Sequence, residues 1–480
     1  MPRPITTITL AVCILIGLLS VLINPVTVAA VTGAPFMDMG RLLLIISSGL
    51  TVIGLLLIVG LCFVEFVRKY EVQLINIGLL IISLDCILFA LCLLDFIASK
   101  QIATQDLVFQ PETSAQYRTS EFNYISRINR LGFRGLDPVN MDNAPTRKIL
   151  LIGDSFTYGW GLDYENTWGH ILQCALTDSG LDAEVYNCGK PGCNPEEYVS
   201  IAQRAIPVLK PDLIILSILQ GDDLAQIAYE KMRKASTAPR KSFWERIISQ
   251  FQHHSRETFP HLYAWISGIG AHGSVSLHRG FTADWKKQGQ QILRTLNQDQ
   301  AKRYATLDPS VRNMFEDGQL NPRLIYDALI VPDRYVRLEN VQTLENQRSL
   351  AFLANYLNSI AGAARDGGAE VIVVIVPHPA YTCGETMETM RMMTFVVPDS
   401  LRWTTNAEEA VKRAADLAGL ACYSPVESFR SYTGPPLYFK YDGHFNIAGA
   451  AFYADFLVGI VLSYFNNEKF TQGCHIKIPG

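Results

Sequence analysis

The chain has 480 residues and a formal net charge of −4 at pH 7. This length exceeds one typical domain, so two or three structural parts are expected. Because there is no excess of basic residues to neutralise phosphates, the composition excludes a nucleic-acid partner. Mean hydropathy is positive, which is unusual for a wholly soluble protein, and the apolar excess is concentrated at the N-terminus.

Three long apolar segments occupy the N-terminal region. Residues 5–37 and 42–64 contain no charged residue, and residues 72–94 contain only Asp85. Each segment is long enough for the roughly 20 apolar residues of a membrane-spanning helix, so residues 1–100 are predicted to form a membrane region with three transmembrane helices. The first segment alternatively fits a cleaved signal peptide, since it has a basic start and small residues after it.

Basic residues indicate the orientation of these helices. Arg3 precedes the first segment, and Arg68 and Lys69 lie in the short loop between the second and the third. The positive-inside rule places both positions on the cytoplasmic side. Three crossings leave everything after Lys100 outside the cytoplasm. We therefore expect a multi-pass protein of the cell membrane with its large C-terminal part on the extracytoplasmic side.

The remaining chain divides into a connecting segment and an α/β domain. Residues 101–147 are polar and rich in turn residues, and we interpret them as a linker and lead-in segment. Residues 148–480 alternate apolar strand-length runs, such as KILLIG and PDLIILSIL, with amphipathic helical segments. This alternation is typical of a parallel sheet covered by helices on both faces. An interruption at about 225–345 is too long for a simple connection and predicts a helical insertion.

Polar, small and ionisable residues follow the predicted strands at their carboxyl ends. Ligands bind at that edge of a parallel sheet, so these residues predict one site. In chain order they are Asp154 and Ser155, Gly189 to Gly192, Gly221 to Asp223, Pro377 and His378, and finally Asp442 and His444.

Three of these residues have the types needed for nucleophilic catalysis. A serine hydroxyl is a poor nucleophile until a base takes its proton, and the base is best held by a third group. Ser155 is the candidate nucleophile, His444 the candidate base and Asp442 the group that orients it. The backbone N–H groups of Ser155 and Gly192 are expected to stabilise the oxyanion. This chemistry requires neither a metal nor an organic cofactor.

Four segments together resemble a known family. The segments GDSFTYGWG, NCGKPG, QGDDL and DGHFN resemble, in this order, the four sequence blocks of the SGNH (GDSL-type) hydrolases. Upstream, NRLGFRG resembles the lead-in of membrane-tethered bacterial members. The resemblance covers about residues 125–465. It implies a flavodoxin-like α/β/α sandwich with a five-stranded parallel sheet, with Ser155 as nucleophile, Gly192 as oxyanion donor, and Asp442 and His444 as the Asp–His pair.

The third block departs from the family pattern. Where the family has an asparagine whose amide helps to hold the oxyanion, this chain has Asp222. An ionised carboxylate cannot donate, and losing one such donor lowers turnover on the order of 100- to 1000-fold. Three possibilities follow: Asp222 is protonated and donates, Gln220 donates in its place, or the protein is weak or inactive. His378 is a possible substrate contact, although a histidine between two prolines also fits a structural turn.

These observations predict a membrane-anchored serine esterase. The expected substrate is an ester, such as an O-acetyl group, on a glycan or lipid of the cell envelope. One alternative is an O-acyltransferase that passes the acyl group to a polysaccharide. The other is a catalytically silent glycan-binding or scaffold protein, which the aspartate at position 222 would favour.

Overall fold

The computed structural model describes residues 107–138, 146–228, 281–339 and 343–466, together with residues 83, 87 and 90–94. The three predicted membrane spans lie outside the described residues, except for those few residues of the third span, which are helical. From residue 107 onward, the described residues belong to one compact unit.

The segment interpreted as a linker and lead-in contains an antiparallel hairpin. Strand β1 (Ser114–Arg118) pairs with β2 (Asn123–Arg127), and in both strands buried residues alternate with exposed ones. Tyr117 and Tyr124 lie on the buried face, where their rings stack with centroids 5.0 Å apart. The hairpin therefore buries an aromatic face of its own.

Arg134 attaches this hairpin segment to the rest of the domain. Its side chain is almost fully buried, and its guanidinium donates to the carbonyl oxygens of Tyr158 and Gly159, at 2.9 Å each, and of Leu162. Its backbone N–H donates to the carbonyl oxygen of Asn187 at 3.2 Å. Five fixed donors on one planar group make arginine suited to holding several carbonyl oxygens at once.

A five-stranded parallel sheet forms the centre of the domain, as predicted. Its strands are β3 (Arg147–Ile152), β4 (Ala183–Asn187), β5 (Leu213–Leu219), β6 (Glu370–Val376) and β7 (Ala421–Tyr423). Their spatial order is β4-β3-β5-β6-β7, with every neighbouring pair parallel. This is the order of flavodoxin-like sheets. All seven residues of β5 are buried, because helices cover both faces of the sheet.

Helices surround the sheet and complete an α/β/α arrangement. They are α1 (Ser155–Tyr158), α2 (Trp168–Asp178), α3 (Pro195–Leu209), α4 (Phe281–Thr295), α5 (Gln298–Ala305), α6 (Pro309–Glu316), α7 (Pro322–Ile330), α8 (Leu344–Asp366), α9 (Pro379–Thr382), α10 (Gly384–Met392), α11 (Asn406–Leu417), α12 (Val426–Ser431) and α13 (Ile447–Phe465). Short 3₁₀ helices span Tyr164–Asn166, Val336–Glu339 and Asp399–Trp403. Residues 222–228 are also helical.

The two faces of the sheet contribute to two separate hydrophobic cores. Along β3, Leu150 and Ile152 pack into the core that contains α3, α8 and α11, whereas Ile149 and Leu151 pack into the core of α2 and α13. Successive side chains of a strand point to opposite faces, so an uninterrupted apolar run supplies both cores. The continuous apolar pattern of the strands is thus explained by burial on two sides.

Helix α13 is the one helix, within the described part of the chain, that is long and apolar enough to cross a membrane. Length and apolar composition are also properties of core helices in soluble domains. Here Tyr453, Leu457 and Val461 of α13 are fully buried and the helix packs against α2. Its apolar composition is therefore accounted for by its place in the domain core.

Candidate active site

Ser155 lies at the carboxyl end of β3, where the chain turns sharply into α1. Asp154 caps the helix, since its side chain accepts the N–H of Phe156 at 2.9 Å. Gly153 precedes it, and a side chain there would collide with that of Thr157. The small residues of the GDS motif therefore allow the tight turn that places Ser155 at the first helical position. The N–H groups of a first helical turn have no intrahelical acceptor. Asp154 accepts that of Phe156, whereas the N–H of Ser155 has no acceptor among the described residues.

The structure brings Ser155, His444 and Asp442 into one hydrogen-bonded series. His444 Nε2 is 2.7 Å from Ser155 Oγ, and His444 Nδ1 is 2.5 Å from Asp442 Oδ1. Gly443 adopts a φ of +81°, and this turn lets residues 442 and 444 face each other. The ring of Phe156 packs 4.7 Å from the imidazole and limits its rotation. The three candidate residues thus have the mutual contacts that a nucleophile, a base and an orienting carboxylate require.

The charge state of His444 depends on two opposing effects. Burial disfavours the imidazolium and by itself lowers the pKa of His444. The carboxylate of Asp442, together with those of Asp154 and Asp222, outweighs burial, so the pKa of His444 lies above its ordinary value of 6.5. A base with a raised pKa accepts the serine proton more readily, provided that the pH keeps it neutral.

Backbone donors for an oxyanion are present beside Ser155. Gly192 has a φ of +72°, a left-handed conformation that glycine adopts without strain, and it lines the same cavity as Ser155. Among the described residues, neither the N–H of Ser155 nor that of Gly192 has a hydrogen-bond partner. Both N–H groups are therefore candidate donors to an oxyanion in this cavity.

Asp222 lines the cavity, but its contacts do not fit the donor role expected for it. Its Oδ1 is 2.6 Å from Nη2 of Arg334, and its Oδ2 accepts the side-chain N–H of Gln226 at 2.6 Å. Both oxygens therefore already have a partner on the protein. Of the three possibilities for position 222, these contacts favour an Asp222 that accepts hydrogen bonds over one that donates to a substrate.

Arg334 connects Asp222 to the helical insertion. Its Nη1 is 2.9 Å from Asp327 on α7, and Asp327 in turn pairs with Arg323 at 2.9 Å. Burial works to lower the pKa of Arg334, but the carboxylates of Asp222 and Asp327 outweigh it and keep the pKa above its usual range. The charges of the two acids and two arginines cancel. The aspartate that replaces the family's asparagine at position 222 thus has a partner of opposite charge, Arg334, from the insertion.

Asp222→Asn is expected to destabilise the protein without raising turnover. Asparagine keeps an acceptor oxygen for Arg334, and its NH2 can donate to Gln226 once that amide flips, but the negative charge that pairs with Arg334 is lost. Breaking a buried ion pair removes up to about 3–5 kcal/mol of unfolding free energy, and Asp327 is expected to retain part of this as a second partner of Arg334. Urea denaturation measures the change. Asp299→Asn, in an exposed pair with Lys302, is the matched control.

Higher turnover with unchanged stability in the Asp222→Asn variant would contradict this interpretation. That result would mean that the carboxylate opposes the oxyanion, and that an amide at position 222 can replace it as a donor.

Gln220 is buried and does not line the cavity, so the structure does not place it as a substitute donor. Its Oε1 accepts the backbone N–H of His378 at 3.3 Å. Its Nε2 is buried without a partner among the residues that the structure describes. This side chain supports the strand end that carries His378.

His378 follows β6 and lines the cavity together with Ser155 and His444. Its Nδ1 accepts the backbone N–H of Ala380 at 3.1 Å, which places the ring proton on Nε2. Burial lowers the pKa of His378 to about 3, so the ring is neutral at physiological pH. In the described part of the chain Nε2 has no hydrogen-bond partner. His378 therefore offers an uncharged N–H donor to the cavity.

The cavity above Ser155 has a volume of about 610 Å³ and joins the strand ends to the insertion. This is within the usual range for sites that bind small molecules. Apolar side chains form much of the wall opposite the nucleophile; they are Leu324, Ile330, Val331, Met390, Met393 and Phe395. Trp160 lies beside His444 and stacks on Trp285 of α4, with ring centroids 6.4 Å apart. The insertion thus contributes directly to the wall of the site.

Comparison with solved structures finds thirteen similar chains, three of which follow. No protein-family model matches the chain, and no curated protein matches it either. The solved structure of TesA aligns at 14% identity over 65% of this chain and 97% of TesA, with a TM-score of 0.29. The acetyl xylan esterase AlAXEase aligns at 11% identity over 65% and 99% of the two chains, with a TM-score of 0.31. A protein assigned as an SGNH hydrolase from Slackia heliotrinireducens aligns at 13% identity over 65% and 97%, with a TM-score of 0.28.

Proposed function

We propose that the protein is a serine esterase that forms an acyl-enzyme on Ser155. The observation that carries this proposal is the continuous contact from Asp442 through His444 to Ser155 Oγ, at 2.5 and 2.7 Å. The contact lies at the mouth of a cavity large enough for a small-molecule ester. Its geometry supports acyl transfer through a serine nucleophile.

The proposed reaction uses each of these groups in turn. His444 accepts the proton of Ser155 while Oγ attacks the carbonyl carbon of the ester, and Asp442 stabilises the resulting imidazolium. The tetrahedral intermediate collapses when His444 gives that proton to the departing alkoxide, which leaves as an alcohol. Water then attacks the acyl-enzyme, again with His444 as base, and the acid is released with Ser155 restored. The backbone N–H groups of Ser155 and Gly192 hold the oxyanion in both steps.

His378 is proposed as the third donor to the oxyanion. The asparagine of the family's third block is replaced by Asp222, which is engaged by Arg334 and Gln226. The Nε2–H of His378 is neutral, lines the same cavity and has no partner in the described part of the chain. A neutral imidazole held in one tautomer by a backbone N–H is an established type of electrophilic catalyst.

The proposed substrate is an ester, such as an O-acetyl group, on a glycan or lipid of the cell envelope. The cavity is much larger than an acetyl group, so the alcohol part of the ester is expected to enter it as well. The three predicted membrane helices and the basic residues at 68 and 69 support anchoring in the cell membrane with the catalytic domain on the extracytoplasmic side.

The test is hydrolysis of an aryl acetate by the purified full-length protein in detergent, measured as a function of pH. We expect turnover whose kcat/KM falls as the pH drops through a value above 6.5, because His444 must be neutral to act as the base and its pKa is raised. As a control, samples exposed to low pH are returned to the optimal pH and assayed again. Full recovery of activity excludes irreversible acid inactivation. A kcat/KM that stays constant while the pH falls through the titration range of histidine would show that His444 is not the base, and a complete lack of turnover would refute the esterase assignment.

A further inference from the structure

The tip of the β1–β2 hairpin lies next to the loop that carries Asp442 and His444. The hydroxyl oxygen of Thr119 accepts the backbone N–H groups of Glu121 and Phe122, at 3.1 and 3.2 Å. These local bonds fix the turn between the two strands, in the manner of a serine or threonine turn. The direction in which Glu121 leaves the hairpin is therefore determined by the hairpin itself.

Glu121 binds the backbone of that loop with both carboxylate oxygens. Oε1 accepts the N–H of Tyr441 at 3.0 Å, and Oε2 accepts the N–H of Asp442 at 2.7 Å. Hydrogen bonds from backbone N–H groups to a carboxylate are stronger than those to a neutral acceptor. Because two consecutive N–H groups are held, the orientation of the peptide unit that precedes the Asp442 side chain is fixed.

The neighbouring residue contacts both halves of the active site. The ring of Phe122 packs 5.2 Å from Phe439, which begins the loop of Asp442, and 6.4 Å from Trp160, which follows α1. A side chain at Gly161 would collide with the rings of Phe439 and Phe122. The hairpin tip therefore fills the space between the segment after the nucleophile and the loop of the Asp–His pair.

We infer that this hairpin tip, residues 119–122, is a positioning element of the active site and that Glu121 is its main residue. By holding the backbone N–H groups of Tyr441 and Asp442, Glu121 fixes the position of the Asp442 carboxylate. That carboxylate orients the imidazole of His444 towards Ser155. The inference rests on the proposed function, since the reaction that Glu121 serves is the activation of Ser155.

Glu121→Gln tests the inference, because it keeps the size of the side chain but replaces one acceptor oxygen with an N–H donor. The backbone N–H facing that donor then loses its acceptor, and the loop is displaced. We expect kcat for an aryl acetate to fall about 10- to 100-fold with KM unchanged, since small displacements of catalytic groups have effects of this size. The rate at which a fluorophosphonate labels Ser155 should fall by the same factor.

Two variants of the same hairpin segment control for effects on folding. Glu112→Gln changes an exposed glutamate and should leave both rates at the wild-type level. Ala115→Gly weakens buried β1 away from the tip, so it should lower the unfolding temperature while keeping kcat. Wild-type rates in Glu121→Gln, or an equal loss of kcat in Ala115→Gly, would overturn the positioning role.

The labelling rate separates this inference from the proposed function. If the wild type labels at Ser155 but hydrolyses no ester, the esterase assignment fails, and a slower labelling of Glu121→Gln still supports the positioning role. If the wild type neither labels nor hydrolyses, there is no activated serine to position and both are overturned.

Discussion

Ser155→Ala is expected to abolish ester turnover, by up to about a millionfold in kcat, while leaving the domain folded. The hydroxyl group supplies the nucleophile, and it contributes little to packing because Ser155 is only partly buried at the entrance of the cavity. His444→Ala should have an effect of the same order. The double variant should be no worse than either single variant, because members of one catalytic unit act together.

The measurement is kcat with an aryl acetate, with the thermal unfolding temperature of each variant as the folding control. Activity near the wild-type level in folded Ser155→Ala would remove this residue from the mechanism. If the double variant lost kcat by the product of the two single losses, Ser155 and His444 would act independently. That result would also argue against a single catalytic unit.

His378→Ala is expected to reduce kcat about 100- to 1000-fold, the effect of removing one oxyanion donor. KM should change little, because the hydrogen bond forms fully only when charge develops on the carbonyl oxygen. His378→Gln offers an amide N–H at a similar reach to Nε2 and is expected to recover part of the loss. The acid limb of the pH profile should stay in place in both variants, since His378 is already neutral at physiological pH.

His378 also packs against Tyr335, with ring centroids 4.7 Å apart, so the stability of both variants must be compared with that of the wild type. Equal losses in the alanine and glutamine variants would indicate a structural role. An alanine variant with wild-type kcat would show that the third donor is another group, for which Arg334 is the nearest charged candidate beside Asp222.

The sheet could be predicted because its three central strands, β3, β5 and β6, are mainly apolar runs. All residues of β5 are buried, and an apolar run bounded by turn residues predicts such a strand directly. Ser155, Asp442 and His444 could be singled out because each lies in a short motif, GDS or DGH. Ser155 closely follows β3, so the parallel sheet places it at the edge where ligands bind. Asp442 and His444 lie between α12 and α13, and their contact with Ser155 follows from the tertiary structure.

The ion pair between Asp222 and Arg334 could not be predicted in the same way. Arg334 lies in the insertion, and in the sequence nothing distinguishes it from other arginines of that region. The partner of the Asp222 carboxylate is thus distant in the sequence, so the sequence alone left the role of Asp222 open. Gln226 carried a weak signal, since it lies four residues after Asp222 in a helical stretch and thus on the same face.

The two strands of the hairpin have a recognisable sequence pattern, although the segment around them is rich in turn residues. In SAQYR and NYISR, buried and exposed residues alternate with the period of two that is typical of a half-buried strand. Recognising the two short strands would have predicted a folded element there. The contact from Glu121 to the loop of Asp442, however, joins segments far apart in the chain and follows only from the tertiary structure.

The most direct test of the central claim is to trap the covalent intermediate. The purified full-length protein is mixed with an aryl acetate, quenched in acid within the first turnover, digested and analysed by mass spectrometry. The account predicts a peptide that contains Ser155 and carries the added mass of one acetyl group, with no such peptide from Ser155→Ala. An acetyl group on another residue, or turnover of the ester without any acetylated intermediate at Ser155, would contradict it.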